Sequence, residues 1–134
     1  QERNRPTEAE HVQRKALKLA TKRFGRRHHD TLQAATLLGS TLRVLGKLSE
    51  AEIILSRSCR DHTLTFGARD RDTLTSFNHL AIVLQLQGRV LEAERLYRTT
   101  RNGLVESLGQ DSSASLAATF SLASILTTGD NASP

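Results

Sequence analysis

The side chains in this sequence that could carry out chemistry begin with two imidazoles and a carboxylate in a row, His28, His29 and Asp30. These are types that bind ions such as Zn²⁺. Adjacent side chains point in different directions on a regular element, however, and no second cluster with metal-ligand spacing occurs. We therefore predict no metal site, and we interpret Asp30 as a residue that caps a helix.

Two further reactive side chains, Cys59 and His62, lie close together in the sequence. Arg57 and Arg60 flank the thiol and could lower its pKa, but no His–Cys–acid arrangement can be inferred, so Cys59 is interpreted as a packing residue. For His62 two interpretations stay open: a buried histidine that weakens the fold on acidification, or, as the sequence favours, one that reaches solvent. No nucleophile elbow, phosphate loop or zinc motif occurs, which predicts neither an enzyme nor a cofactor.

The charge balance points to an acidic partner. The chain has 19 Lys and Arg against 14 Asp and Glu, a formal net charge of +5. Two short basic runs stand out, and they contain Lys22, Arg23, Arg26, Arg27, Arg69 and Arg71. Such runs could contact an acidic protein or an RNA backbone. Proteins that bind RNA usually add aromatic side chains for stacking, whereas the only Tyr, Tyr97, falls on an apolar helix face, so nucleic acid is the less favoured partner.

The sequence contains an internal repeat of 42 residues, and this repeat determines where the side chains described above lie. Phe24-Gly25 recurs as Phe66-Gly67, and Leu108-Gly109 follows at the same distance. The triplet Glu-Ala-Glu occurs at 8–10, 50–52 and 92–94, with the same offset. Independent landmarks that share one period indicate a solenoid built from stacked units.

Each period contains two helical patterns, recognised by apolar or small residues three and four positions apart. The first-type helices carry stripes at Leu32, Ala35, Leu38, Gly39 and Leu42, at Leu74, Phe77, Leu80, Ala81 and Leu84, and at Leu116, Thr119, Leu122, Ala123 and Leu126. The second-type helices carry them at Ala9, Val12, Ala16, Ala20 and Phe24, at Ala51, Ile54, Ser58, His62 and Phe66, and at Ala93, Leu96, Thr100, Leu104 and Leu108. Small residues at Ala51 and Ala93, facing Gly39 and Ala81, are predicted to let paired helices approach closely.

Capping residues and glycines predict where these helices begin and end. Asp30 and Asp72 are predicted N-caps of first-type helices, and Gly46 and Gly88 lie where those helices end. The runs 7–10 and 49–52 fit capping boxes. The predicted domain covers residues 7–128: a half hairpin at 7–24, hairpins at 30–66 and 72–108, and a half hairpin at 114–128. Residues 1–6 and 129–134 are predicted to be disordered.

Composition agrees with a thin, layered core in an all-α protein. Hydrophobic residues make up 37% of the chain and aromatic residues only 4%, without Trp or Met. The single cysteine excludes a disulfide within the chain and favours a reducing compartment, so we predict a cytoplasmic location. No apolar run approaches the roughly 20 residues needed to cross a bilayer. The chain starts without Met, which suggests part of a larger protein.

The repeat resembles the tetratricopeptide repeat, in the 42-residue variety found in kinesin light chains. The unit that carries the resemblance contains Asp72-Thr73-Leu74, Asn78-His79-Leu80-Ala81, Gly88, Glu92-Ala93-Glu94 and Tyr97-Arg98. The resemblance implies a right-handed α-α superhelix of about six helices, with a concave groove lined by first-type helices. Such grooves usually hold a peptide, which implies a protein-interaction module.

The resemblance also assigns the groove residues, which lie off the packing stripes. They are Gln33, Thr36, Ser40 and Arg43 in the first hairpin, Thr75, Asn78, Ile82 and Gln85 in the second, and Ala117, Phe120, Ser124 and Thr127 in the last helix. Asn78 is expected to hold a peptide backbone and Arg43 a carboxylate. The alternatives are a basic helical repeat that binds RNA or another polyanion, and a spacer without a groove ligand. A steep dependence of affinity on salt would favour the polyanion.

The two ends of the array are predicted to associate with each other. The last helix presents Leu116, Leu122 and Leu126 without a second-type helix to cover them, and the first helix lacks its first-type partner. Because the two halves are complementary in type, we predict a homo-oligomer, formed either by like ends around a two-fold axis or by first and last helices joined from chain to chain.

Overall fold

The computed structural model describes the backbone of residues 5–132 and the side chains of residues 7–127. This part of the chain forms six helices and no strand. Their bounds are α1 Arg5–Phe24, α2 His29–Val44, α3 Leu48–Phe66, α4 Arg71–Leu86, α5 Val90–Leu108 and α6 Ser113–Ala132. The six helices follow one another in the order predicted from the sequence: one second-type helix, two hairpins and one first-type helix.

The helices stack in chain order. Each helix packs against the one before it and the one after it, and α2 also contacts α4. The first-type helices α2, α4 and α6 therefore form one layer, and the second-type helices α1, α3 and α5 form the other. This arrangement is the predicted right-handed helical solenoid.

Glycines end the first-type helices at the predicted positions. Gly46 and Gly88 have φ of 81° and 84°, a left-handed conformation that residues with a Cβ adopt with strain. Gly46 N–H donates to the Arg43 carbonyl and Lys47 N–H donates to the Leu42 carbonyl. This pair of hydrogen bonds is a Schellman motif, which satisfies the last carbonyl groups of α2 and turns the chain towards α3.

The helix N-termini correct two of the predictions. The N-caps of α2 and α4 are His28 and Asp70, not Asp30 and Asp72. His28 Nδ1 accepts from the Asp30 N–H at 3.1 Å. Asp30 and Asp72 lie in the first turn, where a carboxylate favours the helix dipole. The capping box at 49–52 is also wrong, because α3 begins at Leu48 and its N-cap, Lys47, makes no side-chain capping bond.

The core is a row of small clusters between the helix layers. The cluster between α2, α3 and α4 contains Leu38, Leu42, Ala51, Leu55 and Val83. The next one contains Ala81, Leu84, Ala93, Tyr97, Leu122 and Ile125. Ala51 and Ala93 are fully buried, as predicted. Gly39 makes room for Leu55 and not for Ala51 as expected, since a Cβ at residue 39 would lie 2.5 Å from Leu55 Cγ.

The faces of the terminal helices differ in part from the predicted stripes. Leu122 is only 7% exposed, because it packs against α4 and α5, so it is wrong as a residue for self-association. Leu116 and Leu126 are 45% and 36% exposed, and Val12 and Leu19 on α1 are also exposed. Helix α6 continues to Ala132, so the disorder predicted from residue 129 is wrong for 129–132. Helix α1 begins at Arg5, so the disorder predicted for residues 1–6 is wrong for 5–6. Residues 1–4 and 133–134 lie outside the described residues.

The remaining reactive side chains have structural roles. Cys59 is buried, and desolvation raises the pKa of its thiol to about 12, which opposes the lowering that Arg57 and Arg60 could cause. The His28 ring stacks on Phe24, with ring centroids 4.6 Å apart. Within the described residues, no three His, Cys, Asp or Glu side chains group as a metal site. No helix in the same part of the chain is long and apolar enough to cross a membrane.

Glu10 holds α1 against the first hairpin, and this contact is expected to respond to pH. Lys47 Nζ donates to Glu10 Oε1 at 2.9 Å and Arg14 Nε donates to Glu10 Oε2 at 2.8 Å; Arg14 also bonds to Glu50. The hydrogen bond from Lys47, followed by that from Arg14, lowers the pKa of Glu10 below its ordinary value of 4.5. Its stabilising contribution is therefore fully present above pH 4.5 and is lost as pH falls through the lower, folded-state pKa.

We expect the urea midpoint of the chain to fall between pH 6 and pH 3, and to fall less in Glu10→Gln, which has no charge to lose. Glu8→Gln, an exposed change on the same helix, is the matched control and should keep the full dependence on pH. Equal pH dependence in Glu10→Gln and the natural chain would contradict the assignment.

Candidate peptide-binding groove

The outward side chains of α2, α4 and α6 line the face that the sequence assigns to a peptide. Thr75, Phe120 and Ser124 are exposed, and Gln33, Ser40, Arg43, Asn78, Ile82 and Gln85 are half-buried. Half-buried polar groups suit a binding groove, because a ligand can contact them and, once bound, shield them from water. Neither 31–44 in α2, nor 73–86 in α4, nor 113–127 in α6 contains an Asp or Glu. The face is therefore neutral to positive.

Thr36 is the exception among the predicted groove residues, and its outward orientation is wrong. Its side chain is buried, and its hydroxyl donates to the Leu32 carbonyl at 3.0 Å. Thr36 Oγ1 also lies 3.0 Å from Ser58 Oγ and 3.5 Å from Ser76 Oγ. The sequence alone does not indicate whether a threonine hydroxyl faces solvent or a buried hydroxyl. These two environments are distinguished only by the packing of α3 and α4 against α2.

His62 belongs to the same buried cluster, and the expectation that it reaches solvent is wrong. It is 1% exposed. Its Nδ1 lies 2.9 Å from the Ser58 carbonyl, which can only accept, so Nδ1 carries the proton. Ser58 Oγ and Ser76 Oγ lie 3.2 Å and 3.1 Å from the same nitrogen. The cluster of Thr36, Ser58, His62 and Ser76 is hereafter the closed junction.

An open cleft of about 180 Å³ lies between α4 and α6, with α5 as its floor. Three predicted groove residues, Thr75, Asn78 and Ala117, line it together with Thr100 and Ser121. Asn78 Oδ1 and Thr100 Oγ1 are buried, and neither has a hydrogen-bond partner among the described residues. Buried polar atoms are nearly always paired, so these two are the groups that a bound ligand would satisfy best.

Arg43 forms a second polar site near the C-terminal end of α2. Its Nε is buried and has no partner among the described residues. The positive charge of Arg43 affects the pKa of two neighbouring side chains. The pKa of His79 is lowered, mainly by desolvation and also by Arg43. The pKa of Tyr97 is raised by desolvation, and Arg43 opposes this increase to a smaller extent. Tyr97 O–H donates to Gln85 Oε1 at 2.9 Å. Arg43 and Gln85 thus lie in one neighbourhood, with His79 in its neutral form near pH 7.

The arginines of the basic turns mostly bond to their own chain. Arg26 Nε lies 3.1 Å from Oδ2 of the buried Asp61. Arg27 donates to the Leu64 carbonyl at 3.1 Å, and Arg69 Nε lies 3.3 Å from Glu106 Oε2. These contacts tie successive turns together. They leave less charge for an external polyanion than the sequence suggests.

The structure adds His79, Thr100 and Ser121 to the groove. Thr100 could have been found, because it is a polar residue on a stripe that otherwise packs apolar side chains. His79 and Ser121 lie one position beyond the predicted residues Asn78 and Phe120. The resemblance assigns a narrower strip of each helix than the set of residues that line this face.

Comparison with known proteins gives the same architecture. Models of the tetratricopeptide repeat match residues 1–61 and 73–114. Crystallised, nearly identical TPR-like repeats of a Podosopora anserina protein named as a kinesin light chain superpose with a TM-score of 0.86 at 21% identity, over 92% of this chain and 59% of that one. A single-residue variant of those repeats gives 0.85 at 20% identity, over 92% of this chain and 58% of that one. A search of curated proteins found no match.

The stacked hairpins define a helical-repeat protein. The chain belongs to the tetratricopeptide repeat family, and it has the fold of the kinesin-light-chain-like arrays. It spans 59% of the length of the Podosopora anserina repeats.

Proposed function

We propose that this chain is a non-enzymatic module that binds an extended peptide segment of a partner protein in the groove. Tetratricopeptide repeats generally mediate protein–protein interaction. The observation that carries the proposal is a set of buried polar atoms along one face that have no hydrogen-bond partner in the described part of the chain: Arg43 Nε, Asn78 Oδ1 and His79 Nδ1. A protein that leaves such groups unpaired loses free energy, and a ligand that pairs them recovers it.

The charge of the groove favours a peptide with a carboxylate. Arg43 is the only charged side chain in 31–44 of α2, and 73–86 of α4 contains no Lys, Arg, Asp or Glu. A guanidinium without an acidic partner in a half-buried site binds a carboxylate with charge-assisted hydrogen bonds. Ile82 on α4 and Phe120 on α6 offer apolar contact. The buried, unpaired Cys59 supports a reducing compartment, so we propose that binding takes place in the cytoplasm.

RNA binding finds little support beside this proposal. Tyr97 is buried and bonded to Gln85, so it is not free to stack on a base. Arg26, Arg27 and Arg69 bond to their own chain. A solvated basic surface is the simpler account of these turns.

Selection from a displayed library of random ten-residue peptides tests the proposal. We expect acidic sequences to be enriched, and Arg43→Gln to raise their dissociation constants roughly ten- to hundredfold, as for loss of a hydrogen bond to a charged group. Arg60→Gln, on the exposed face of α3, removes the same charge away from the groove and should change affinity little. Equal losses in both variants, with a steep linear dependence of log affinity on log salt, would favour the polyanion alternative instead.

A further inference from the structure

The cleft at Asn78 occupies the same place in the second unit as the closed junction does in the first. Thr36, Ser58, His62 and Ser76 recur 42 residues later as Asn78, Thr100, Leu104 and Ala118. The backbones of both units have the same helices in the same order. The chain therefore contains one structural site twice, with two different sets of side chains.

In the first unit the site is satisfied from within. His62 Nδ1 lies 3.2 Å from Ser58 Oγ and 3.1 Å from Ser76 Oγ, and Ser76 Oγ lies 3.5 Å from Thr36 Oγ1. Ser58 Oγ lies 3.0 Å from Thr36 Oγ1, so each of the four side chains has a hydrogen-bond partner within the closed junction. No group of this set needs a ligand.

In the second unit the two groups that would complete the set are absent from the sequence. Leu104 stands in place of the histidine and Ala118 in place of the serine. Thr100 is 1% exposed, and its Oγ1 has no hydrogen-bond partner within the described residues. The Oδ1 atom of Asn78 is also buried and also has no partner there. The shorter side chain of Ala118, with Ala114 and Ala117, leaves the open cleft.

We infer that this cleft is a subsite for an uncharged side-chain amide, Asn or Gln, of the peptide bound in the groove. The inference rests on the proposed function and specifies one position of its ligand. A primary amide donates and accepts at once, so it can pair both with the Asn78 amide and with the Thr100 hydroxyl. None of the described residues that line the cleft carries a charge, so a carboxylate or ammonium group would lose its hydration there without a counter-charge.

The size of the cleft agrees with this ligand. A water molecule occupies about 30 Å³ in the liquid, so a cleft of about 180 Å³ has the volume of a few water molecules. This is enough for one short side chain of the peptide, but not for a further stretch of its backbone. The walls contributed by Ala114, Ala117 and Leu104 are apolar and suit the methylene groups of Gln or Asn. The polar atoms at the base of the cleft, Asn78 Oδ1 and Thr100 Oγ1, suit the amide group at the end of that side chain.

Titration with capped single residues, followed by amide NMR shifts, tests the inference without knowledge of the partner. The probes are the N-acetyl methylamides of L-glutamine, L-asparagine, L-glutamate and L-leucine, each up to about 50 mM. We expect the glutamine or the asparagine compound to shift residues 75–78, 100 and 114–121 with saturation. The glutamate and leucine compounds should bind at least tenfold more weakly.

A variant that rebuilds the closed junction in the second unit is the matched control. Asn78→Thr, Leu104→His and Ala118→Ser together copy three side chains of the closed junction onto an equivalent backbone, and the natural Thr100 supplies the fourth hydroxyl, in the place of Ser58. We expect this variant to remain folded by circular dichroism and to lose the saturable shifts. The shorter change Ala118→Ser alone, which introduces one hydroxyl, serves if the triple variant does not fold, and should raise the dissociation constant about tenfold.

The inference is overturned if neither amide compound shifts the cleft residues, if the leucine or glutamate compound shifts them as strongly, or if the variant that folds keeps the saturable shifts. Its failure can be told apart from failure of the proposed function. Library peptides whose affinity depends on Arg43 but not on the Ala118→Ser change would retain the groove as a peptide site and remove the amide subsite.

Discussion

Replacing Leu42 by alanine is expected to lower the free energy of unfolding by about 2–5 kcal/mol, the usual range for a buried leucine. Leu42 is 0% exposed and packs in the cluster shared by α2, α3 and α4. Loss of its side chain would leave a cavity where three helices meet. Because each unit of a solenoid is stabilised by its neighbours, a defect here weakens both sides of the stack.

Leu37→Ala is the matched control for this prediction. Leu37 lies on the same helix, but it is 57% exposed. Its removal should change stability by no more than about 0.5 kcal/mol, as for most surface substitutions. Urea unfolding monitored by circular dichroism measures both. Comparable losses in the two variants would mean that the cluster between α2, α3 and α4 is not the centre of the fold.

Association of the chain from end to end is the second expected result. Leu126 is the counterpart of the buried residues Leu42 and Leu84, yet it is 36% exposed because no second-type helix of the described chain covers it. Leu19 on α1 is 65% exposed and is the counterpart of Gly103. A Cβ at Gly103 would lie 2.8 Å from Leu74, so this position faces the first-type helix of its own hairpin.

The hairpin of α4 and α5 thus indicates which residues would meet across a contact between chains. With α1 of one copy against α6 of another, Leu19 would approach Leu116, the counterpart of Leu74. Both side chains are apolar and exposed in the single chain. The contact would bury them as the intrachain hairpins do, at about 25 cal/mol per Å² of apolar surface removed from water.

Sedimentation across a concentration series measures this association. In a head-to-tail contact, Leu126→Glu and Leu19→Glu should each raise the dissociation constant at least tenfold, since each places a charge without a partner in an apolar contact. Leu91→Glu, at a residue 73% exposed on α5, is the control and should have no effect. A natural chain that stays monomeric at high micromolar concentration refutes the prediction.

Mixing the two variants separates the two possible geometries. In a head-to-tail contact, the intact α6 of Leu19→Glu can bind the intact α1 of Leu126→Glu, so the mixture should form a dimer although neither variant associates alone. In a two-fold contact between like ends, one of the variants should still associate alone, and mixing should add nothing.

Much of this architecture follows from the sequence alone. The 42-residue offset, the apolar stripes and Gly46 and Gly88 predicted six helices, their order and their turns. These are local properties: a helix face is defined by spacing along the chain, and a left-handed turn favours glycine wherever it occurs. The N-caps were placed two residues late because an aspartate is favourable both as a cap and in the first turn, so Asp30 and Asp72 satisfied either assignment.

The environment of each polar side chain was decided by the tertiary structure. Thr36 and Asn78 hold the same position in successive units, and both were predicted to face a peptide. The first is buried against Ser58 and Ser76, whereas the second lines an open cleft, because Ala118 replaces the serine and Leu104 the histidine. Whether a polar atom is satisfied depends on residues about 20 to 40 positions away, which meet only when the helices pack. Periodicity along the chain determines which face a residue is on, but not which groups it meets there.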